Sequence, residues 1–184
     1  HLGRDAGPRR IGPPGTGGAL PVLGVLRYEP RQGLGDLLAE GVRRAARKIS
    51  GSENYALHIK GMEVPTQEVR GLKAWGLAWA VASRGGDHCR AFPVMETTWS
   101  PRQAKAFFGS EKAADRFAYE GKAAMVKWGE DFGATHDALG ICKIAYKAMG
   151  LMPELVAKAY TAVTGIEMSG DELLKAGERI NTLE

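Results

Sequence analysis

The run from Arg70 to Ser83 leaves the chain the least freedom. Leu72, Trp75, Leu77, Trp79 and Val81 stand among small glycines and alanines, so a helix built from them is apolar nearly all round. Such a helix has no face to offer water and must be enclosed by other elements. The chain of 184 residues is long enough to build a core around it. The tryptophans read as core residues. The small residues would let a second backbone or a flat cofactor come close, and packing alone explains them equally well.

The polar turn Arg84-Gly85-Gly86-Asp87-His88-Cys89-Arg90 follows at once. Two adjacent glycines permit backbone angles closed to other residues and aim the polar run away from the helix axis. A histidine on a turn is usually a surface residue, but His88 emerges from the end of a buried helix, which makes a lined pocket more plausible here.

The rest of the chain punctuates itself as helices. Leu38, Val42, Ala45 and Ile49 step by four, three and four, predicting one amphipathic helix ended by Gly51. Its outer face carries Arg43, Arg44, Arg47 and Lys48, either a solvated face or a docking surface for an acidic redox protein. Asn54 to Val64 alternates as one short extended segment closed by Pro65, with Tyr55, Leu57 and Ile59 on one side and an exposed His58 on the other. Ser100 with Gln103, and Ser169 with Glu172, make capping boxes, and Pro101 and Pro153 sit in first turns. Gly109 and Gly165 are stop signals. Between them, Ala114, Phe117, Gly121, Met125 and Trp128 mark one helix; Val156, Tyr160 and Val163 mark another as inward; Leu173, Ala176, Ile180 and Leu183 mark the last.

Asp137-Ala138-Leu139-Gly140-Ile141-Cys142-Lys143 puts a carboxylate, a glycine and a cysteine within a turn and a half of helix. Leu139, Cys142, Tyr146 and Met149 recur at three- and four-residue steps, so the thiol is expected to face inward on an apolar stripe. Asp137 is expected at that helix's start, where its carboxylate can accept backbone N–H groups or those of a polar ligand. The bland alternatives are a core cysteine and a cap.

This segment resembles the Asp-x-x-Gly-Leu-Cys motif of the tungsten-containing aldehyde ferredoxin oxidoreductase family. The resemblance recurs, in family order and spacing, in Gly35 to Arg43, His58-Ile59-Lys60-Gly61-Met62-Glu63-Val64-Pro65, Arg70-Gly71-Leu72-Lys73, Gly76 to Ala80, Ser83 to His88 and Gly177-Glu178-Arg179-Ile180. It implies a mainly α fold over residues 31–184, the helical C-terminal region (domains 2 and 3) of such an enzyme, with residues 1–30 a non-matching Gly, Pro and Arg-rich leader. By its composition that leader reads as disordered. It is expected to be aberrant, from a shifted frame or a truncated gene.

The resemblance also implies the chemistry. Aldehydes would be oxidised to carboxylic acids at a tungsten bis-pterin, with electrons leaving through a [4Fe-4S] cluster to ferredoxin. Asp137 and the backbone near Ile141 would hold one pterin, Cys142 would ligate the cluster, Arg90 matches a basic position near the pterin, and His88 is the candidate catalytic proton donor or acceptor. Imidazole suits that work because it exchanges protons near neutrality. Two departures stand out: Gln67 replaces a family tyrosine, and Cys89 an aliphatic residue.

Composition sets limits on this reading. The net charge of +4 comes from bases interleaved with acids, which does not argue for nucleic acid. No apolar run approaches the length of a membrane span. Two cysteines make no disulfide framework and point to a reducing cytoplasm. One cluster cysteine cannot hold four irons, so the chain is expected to be a fragment, inactive alone. The alternatives are an aromatic acyl-CoA reductase subunit of the same superfamily and a non-catalytic basic helical binding module.

Overall fold

The computed structural model describes residues 33–65, 68–145 and 150–184. The leader, Gln67, and Tyr146 and Met149 of the expected Cys142 stripe lie outside the described residues. Among the described residues the chain is mainly α, with eight α-helices and one two-stranded antiparallel sheet. It divides into two compact units, residues 1–41 and 42–184. In the first, Gly33 at φ 58° opens α1, Leu34–Ala39.

The second unit opens with α2, Val42–Lys48. The single helix expected across Leu38 to Ile49 is thus two, broken at Gly41, whose φ of 82° no helix accommodates. Ala45 and Ala46 form the buried stripe of α2, while Val42 and Ile49 stay exposed. The basic residues Arg43, Arg44, Arg47 and Lys48 are exposed as expected.

The expected extended segment is a hairpin of β1, His58–Ile59, and β2, Met62–Glu63, with His58 opposite Glu63 and Ile59 opposite Met62. Its two-residue turn places Lys60 and Gly61 at φ 54° and 86°, the pair of positive angles that matches strand twist. Tyr55 and Leu57 lie exposed before it, and His58 is half-buried, not exposed. Lys60 Nζ donates to the carbonyls of Ala82 and Ser83 at 3.0 and 2.9 Å. It thereby caps the C-terminal end of the next helix, where unpaired carbonyls favour a cation.

That helix is α3, Lys73–Val81, and it is buried over one face, with Ala74, Trp75, Ala78 and Trp79 at most 5% exposed, while Ala80 and Val81 at its end are exposed, contrary to the expected all-round enclosure. Around it lie α4, Met95–Thr98, α5, Pro101–Phe108, α6, Lys122–Leu139, α7, Pro153–Thr164, and α8, Gly170–Leu183. Trp75, Trp79, Phe92, Met95, Met125, Phe132, Val156 and Leu173 belong to one core. Both capping boxes form, and Gly109 and Gly165 end their helices at φ 79° and 72°. The apolar marking fails elsewhere as well. Ala114 falls in a short 3-10 turn and Phe117 is exposed, because Gly121 at φ 79° delays α6 to Lys122. Val163 and Leu183, both in the last turn of their helices, are exposed.

An ion pair lies inside the core. Glu96 is fully buried, and its Oε1 accepts the Ala74 N–H at 2.8 Å, one of the orphan donors at the start of α3. The same oxygen lies 2.8 Å from Lys122 Nζ, which also donates to the Ala113 carbonyl at 2.7 Å. One side chain from α4 and one from α6 thus fix where α3 begins. Replacing Lys122 by Met leaves the Glu96 charge buried without compensation and is expected to cost about 3–5 kcal/mol in urea unfolding. Adding Glu96→Gln recovers part of that loss.

Candidate functional site

Three residues of α6 spaced by four, Gly129, Gly133 and Asp137, form one stripe. A Cβ at Gly129 would strike the Ala91 carbonyl, and one at Gly133 the Arg90 carbonyl. The segment after His88 therefore lies backbone-to-backbone along α6. This places the Arg90 side chain over the last member of the stripe, with Nη1 3.7 Å from Asp137 Oδ2. The turn and the Asp137 motif, which the sequence singled out separately, meet here.

Asp137 occupies the last turn of α6, not the start of a following helix as expected. Gly140, at φ 69°, ends α6: its N–H donates to the Asp137 carbonyl at 3.3 Å, and the Ile141 N–H donates to the His136 carbonyl at 2.8 Å. That pair of bonds is a Schellman ending. It interrupts the stripe from Leu139 to Cys142, so Cys142 is exposed where an inward thiol was expected. With its N–H engaged, Ile141 can offer a polar ligand only its carbonyl. His136, buried one turn earlier beside the Phe132 ring, has its imidazole pushed below the ordinary range by burial.

Arg90 is 8% exposed and fully engaged. Its Nη2 donates to Asn181 Oδ1 of α8 at 3.0 Å and pairs with Glu184, the residue that caps that helix. Asn181 in turn donates to Asp131 Oδ1 at 3.1 Å, and Lys127 binds Asp131 Oδ2 at 2.6 Å, which raises the lysine's proton affinity. α8 comes this close to α6 because Gly177 rests on the Asp131 carbonyl, where a Cβ would not fit. Lys143, 7% exposed, runs its stem past Gly133 and donates to Asp137 Oδ2 at 2.6 Å. Both cations thus address one oxygen of a carboxylate that is 47% exposed.

The His88 turn is seated from the other side. Gly85, at φ 114°, presses on the Ile59 carbonyl and Gly86 on that of Met62, so the turn rests on the hairpin. Arg84 pairs with Asp87, whose Oδ1 also accepts the Cys89 N–H at 2.8 Å. His88 is 45% exposed, its ring 6.3 Å from that of Phe92 and its Nδ1 4.0 Å from Asp87 Oδ1, beyond hydrogen-bond reach. Asp87, His88 and Cys89 hold potential metal-ligating atoms within 4.8 Å of one another, but the Asp87 carboxylate is committed to the turn. Burial, with Asp87 adding to it, pushes the Cys89 thiol up. A cavity of ≈ 440 Å³ between the hairpin and α3, walled by His58, Ile59 and Trp79, is lined by none of His88, Arg90, Asp137, Ile141 or Cys142.

The family model for aldehyde ferredoxin oxidoreductase, domains 2 and 3, matches residues 27–184. This chain belongs to the aldehyde ferredoxin oxidoreductase family. Its relatives include tungsten-containing aldehyde ferredoxin oxidoreductases of Pyrococcus horikoshii, 32% identical over 157 residues, and Pyrococcus abyssi, 31% identical over the same length. Each alignment covers 85% of this chain and 24% of the relative, so the chain spans about a quarter of these proteins' length. A WOR-like subunit of aliphatic sulfonate oxidoreductase from Pyrococcus furiosus is 28% identical over 106 residues, 54% of this chain and 17% of that protein.

Within this family member the sequence reading located the Arg90, Asp137 and Cys142 segments but missed what binds them together. Lys143, Asn181 and Glu184 gave no periodic signal. Gly129 and Gly133 did, since two glycines four apart on a helix mark a close backbone approach. No described helix is long and apolar enough to cross a membrane. Iodoacetamide at neutral pH is expected to label exposed Cys142 first, and Cys89 to follow only as the pH rises, because the thiolate reacts. Peptide mass spectrometry of timed samples checks this; equal rates contradict it.

Proposed function

We propose that this chain forms part of a tungstopterin enzyme that oxidises aldehydes to carboxylic acids and passes the electrons through an iron-sulfur cluster to ferredoxin in the cytoplasm. The observation that carries the reading is the 3.7 Å approach of Arg90 to Asp137. It joins the turn bearing His88 to the helix end bearing Asp137 and Cys142, the two segments through which the family resemblance implies contact with metal, pterin and cluster.

The donor set fits such a group. Asp137 keeps an acceptor oxygen, Oδ1, that accepts no hydrogen bond from the described residues, the Ile141 carbonyl adds an acceptor, and Cys142 is exposed. A pterin edge rich in N–H groups needs acceptors of this kind, and an iron ligand must be an accessible sulfur. When bound, the tungsten-pterin group supplies the two-electron redox chemistry. The chain's own residues hold and shield it. Arg90 ties Asp137 to the turn, and the Schellman turn fixes the offset from Asp137 to Cys142, so one helix end serves both pterin and cluster.

Oxidation of an aldehyde with water to a carboxylate releases protons as well as electrons. His88, half-exposed at the tip of a turn clamped to the hairpin by Gly85 and Gly86, is the base that takes one of them. Cys142 contributes one sulfur, and the remaining cluster ligands come from outside this chain.

In the holoenzyme, His88→Asn is expected to lower kcat for aldehyde-dependent dye reduction about a hundredfold or more, with tungsten content unchanged. Unchanged turnover removes His88 from the mechanism. A holoenzyme that contains tungsten but reduces no dye with any aldehyde refutes the aldehyde reading itself.

A further inference from the structure

The electrostatics of the α6 terminus single out one residue that neither its sequence position nor the proposed chemistry explains. Asp137 lies in the last turn of an 18-residue helix, where unpaired carbonyls give the end a partial negative charge. A carboxylate there is disfavoured unless cations stand by. Two do, and they are not equivalent. Arg90 Nη1 is 3.7 Å from Oδ2, a loose ion pair, and its other arm is committed to Asn181 and Glu184. Lys143 Nζ is 2.6 Å from the same Oδ2, a short charge-assisted hydrogen bond.

The chain goes to some length to place that lysine. Cys142 before it and Ile144 after it are exposed, yet Lys143 is 7% exposed. Its stem fills the groove at Gly133: a Cβ added there would lie 3.3 Å from Lys143 Cε, tighter than ordinary contact. A long cation buried along its stem, with its head on one carboxylate oxygen, restricts that carboxylate's rotation.

We propose that Lys143 is a positioning residue for Asp137, binding Oδ2 so that Oδ1 is presented to the N–H donors of the pterin. This rests on the reading that Asp137 contacts the pterin. Lys143 itself touches neither pterin nor metal. It acts through the carboxylate, as outer hydrogen-bond partners orient the ligands of metal sites. Arg90 supplies charge balance and the link to α8, and Lys143 supplies direction.

The test uses three holoenzyme variants, Lys143→Met, Lys143→Arg and Asp137→Ala. It measures the rate of cofactor loss, from tungsten by mass spectrometry and oxidised pterin by fluorescence per chain, together with the unfolding temperature of the cofactor-free protein. Lys143→Met is expected to release cofactor about tenfold faster or more, with the unfolding temperature of the cofactor-free protein little changed, and Lys143→Arg to restore most of the retention. Release from Lys143→Met at the wild-type rate, while Asp137→Ala loses cofactor, overturns the role of Lys143 and leaves the pterin contact standing. Wild-type retention in Asp137→Ala overturns the pterin contact and the proposal with it. Equal loss in both lysine variants, with a lowered unfolding temperature, makes Lys143 a packing residue and overturns the proposal.

Discussion

The structure depends on one close contact between backbones, that of Arg90 and Ala91 against Gly129 and Gly133 of α6. No side chain larger than hydrogen fits at either glycine, so the distance is set by main-chain atoms, whose packing is stiff. Everything of chemical interest is referred to that contact. His88 lies two residues before it, Asp137 one turn beyond it, and Lys143 folds back across it. A methyl group at Gly133 would separate the turn from the helix and displace the Lys143 stem in one step. The hairpin bears on the same turn from the opposite side, through Gly85 and Gly86. The His88 segment is therefore gripped between main-chain surfaces, which suits the proton-transfer role proposed for His88, since such a role needs precise placement.

Much of this was legible in the sequence, and the losses have a common cause. The burial of α3, both capping boxes and the glycine stops follow from local rules, because composition and hydrogen-bond chemistry settle them within a turn. What periodicity could not deliver was the end of α6. Leu139 and Cys142 keep helical spacing whether or not a helix joins them. Gly140 decides the matter by entering the left-handed region, and Cys142 moves from the interior to the surface. The same glycine turns Asp137 from an expected first-turn cap into a last-turn carboxylate. Gly41 does likewise between α1 and α2. A glycine within an apolar stripe carried more information than the stripe. Asn181 and Glu184 are different: each meets Arg90 from more than ninety residues away, a contact that no local pattern encodes. Lys143 reaches back only six residues to Asp137, but across the break at Gly140, which ends the helical spacing.

The helix ends share an electrostatic logic. α3 terminates with its last carbonyls against Lys60, from the hairpin turn. α6 and α8 both terminate beside Arg90, which receives Asp137 from one and Asn181 and Glu184 from the other. Negative helix ends are thus gathered on cations, an exposed Lys60 for one and a buried Arg90 for the other two, and the buried Lys143 adds a second cation where Asp137 adds a second anion. Arg90 suits the hub because its planar fork can address two helices at once, whereas the single head of a lysine directs one carboxylate.

A carboxylate in the last turn of a helix is a poor choice for stability alone. An uncharged residue at Asp137 would spare the clash with the helix dipole and release Lys143 from burial, where a lysine without its partner would be costly. The arrangement makes physical sense if the acceptor oxygen has work to do at that surface, beside an exposed thiol five residues further on. Burying the lysine then follows, since a solvent-exposed cation would screen and wander, and the carboxylate would turn with it. At its beginning α6 is tied to the start of α3 by the core pair of Glu96 and Lys122. One end of α6 is anchored in the interior so that the other can hold charged groups at the surface.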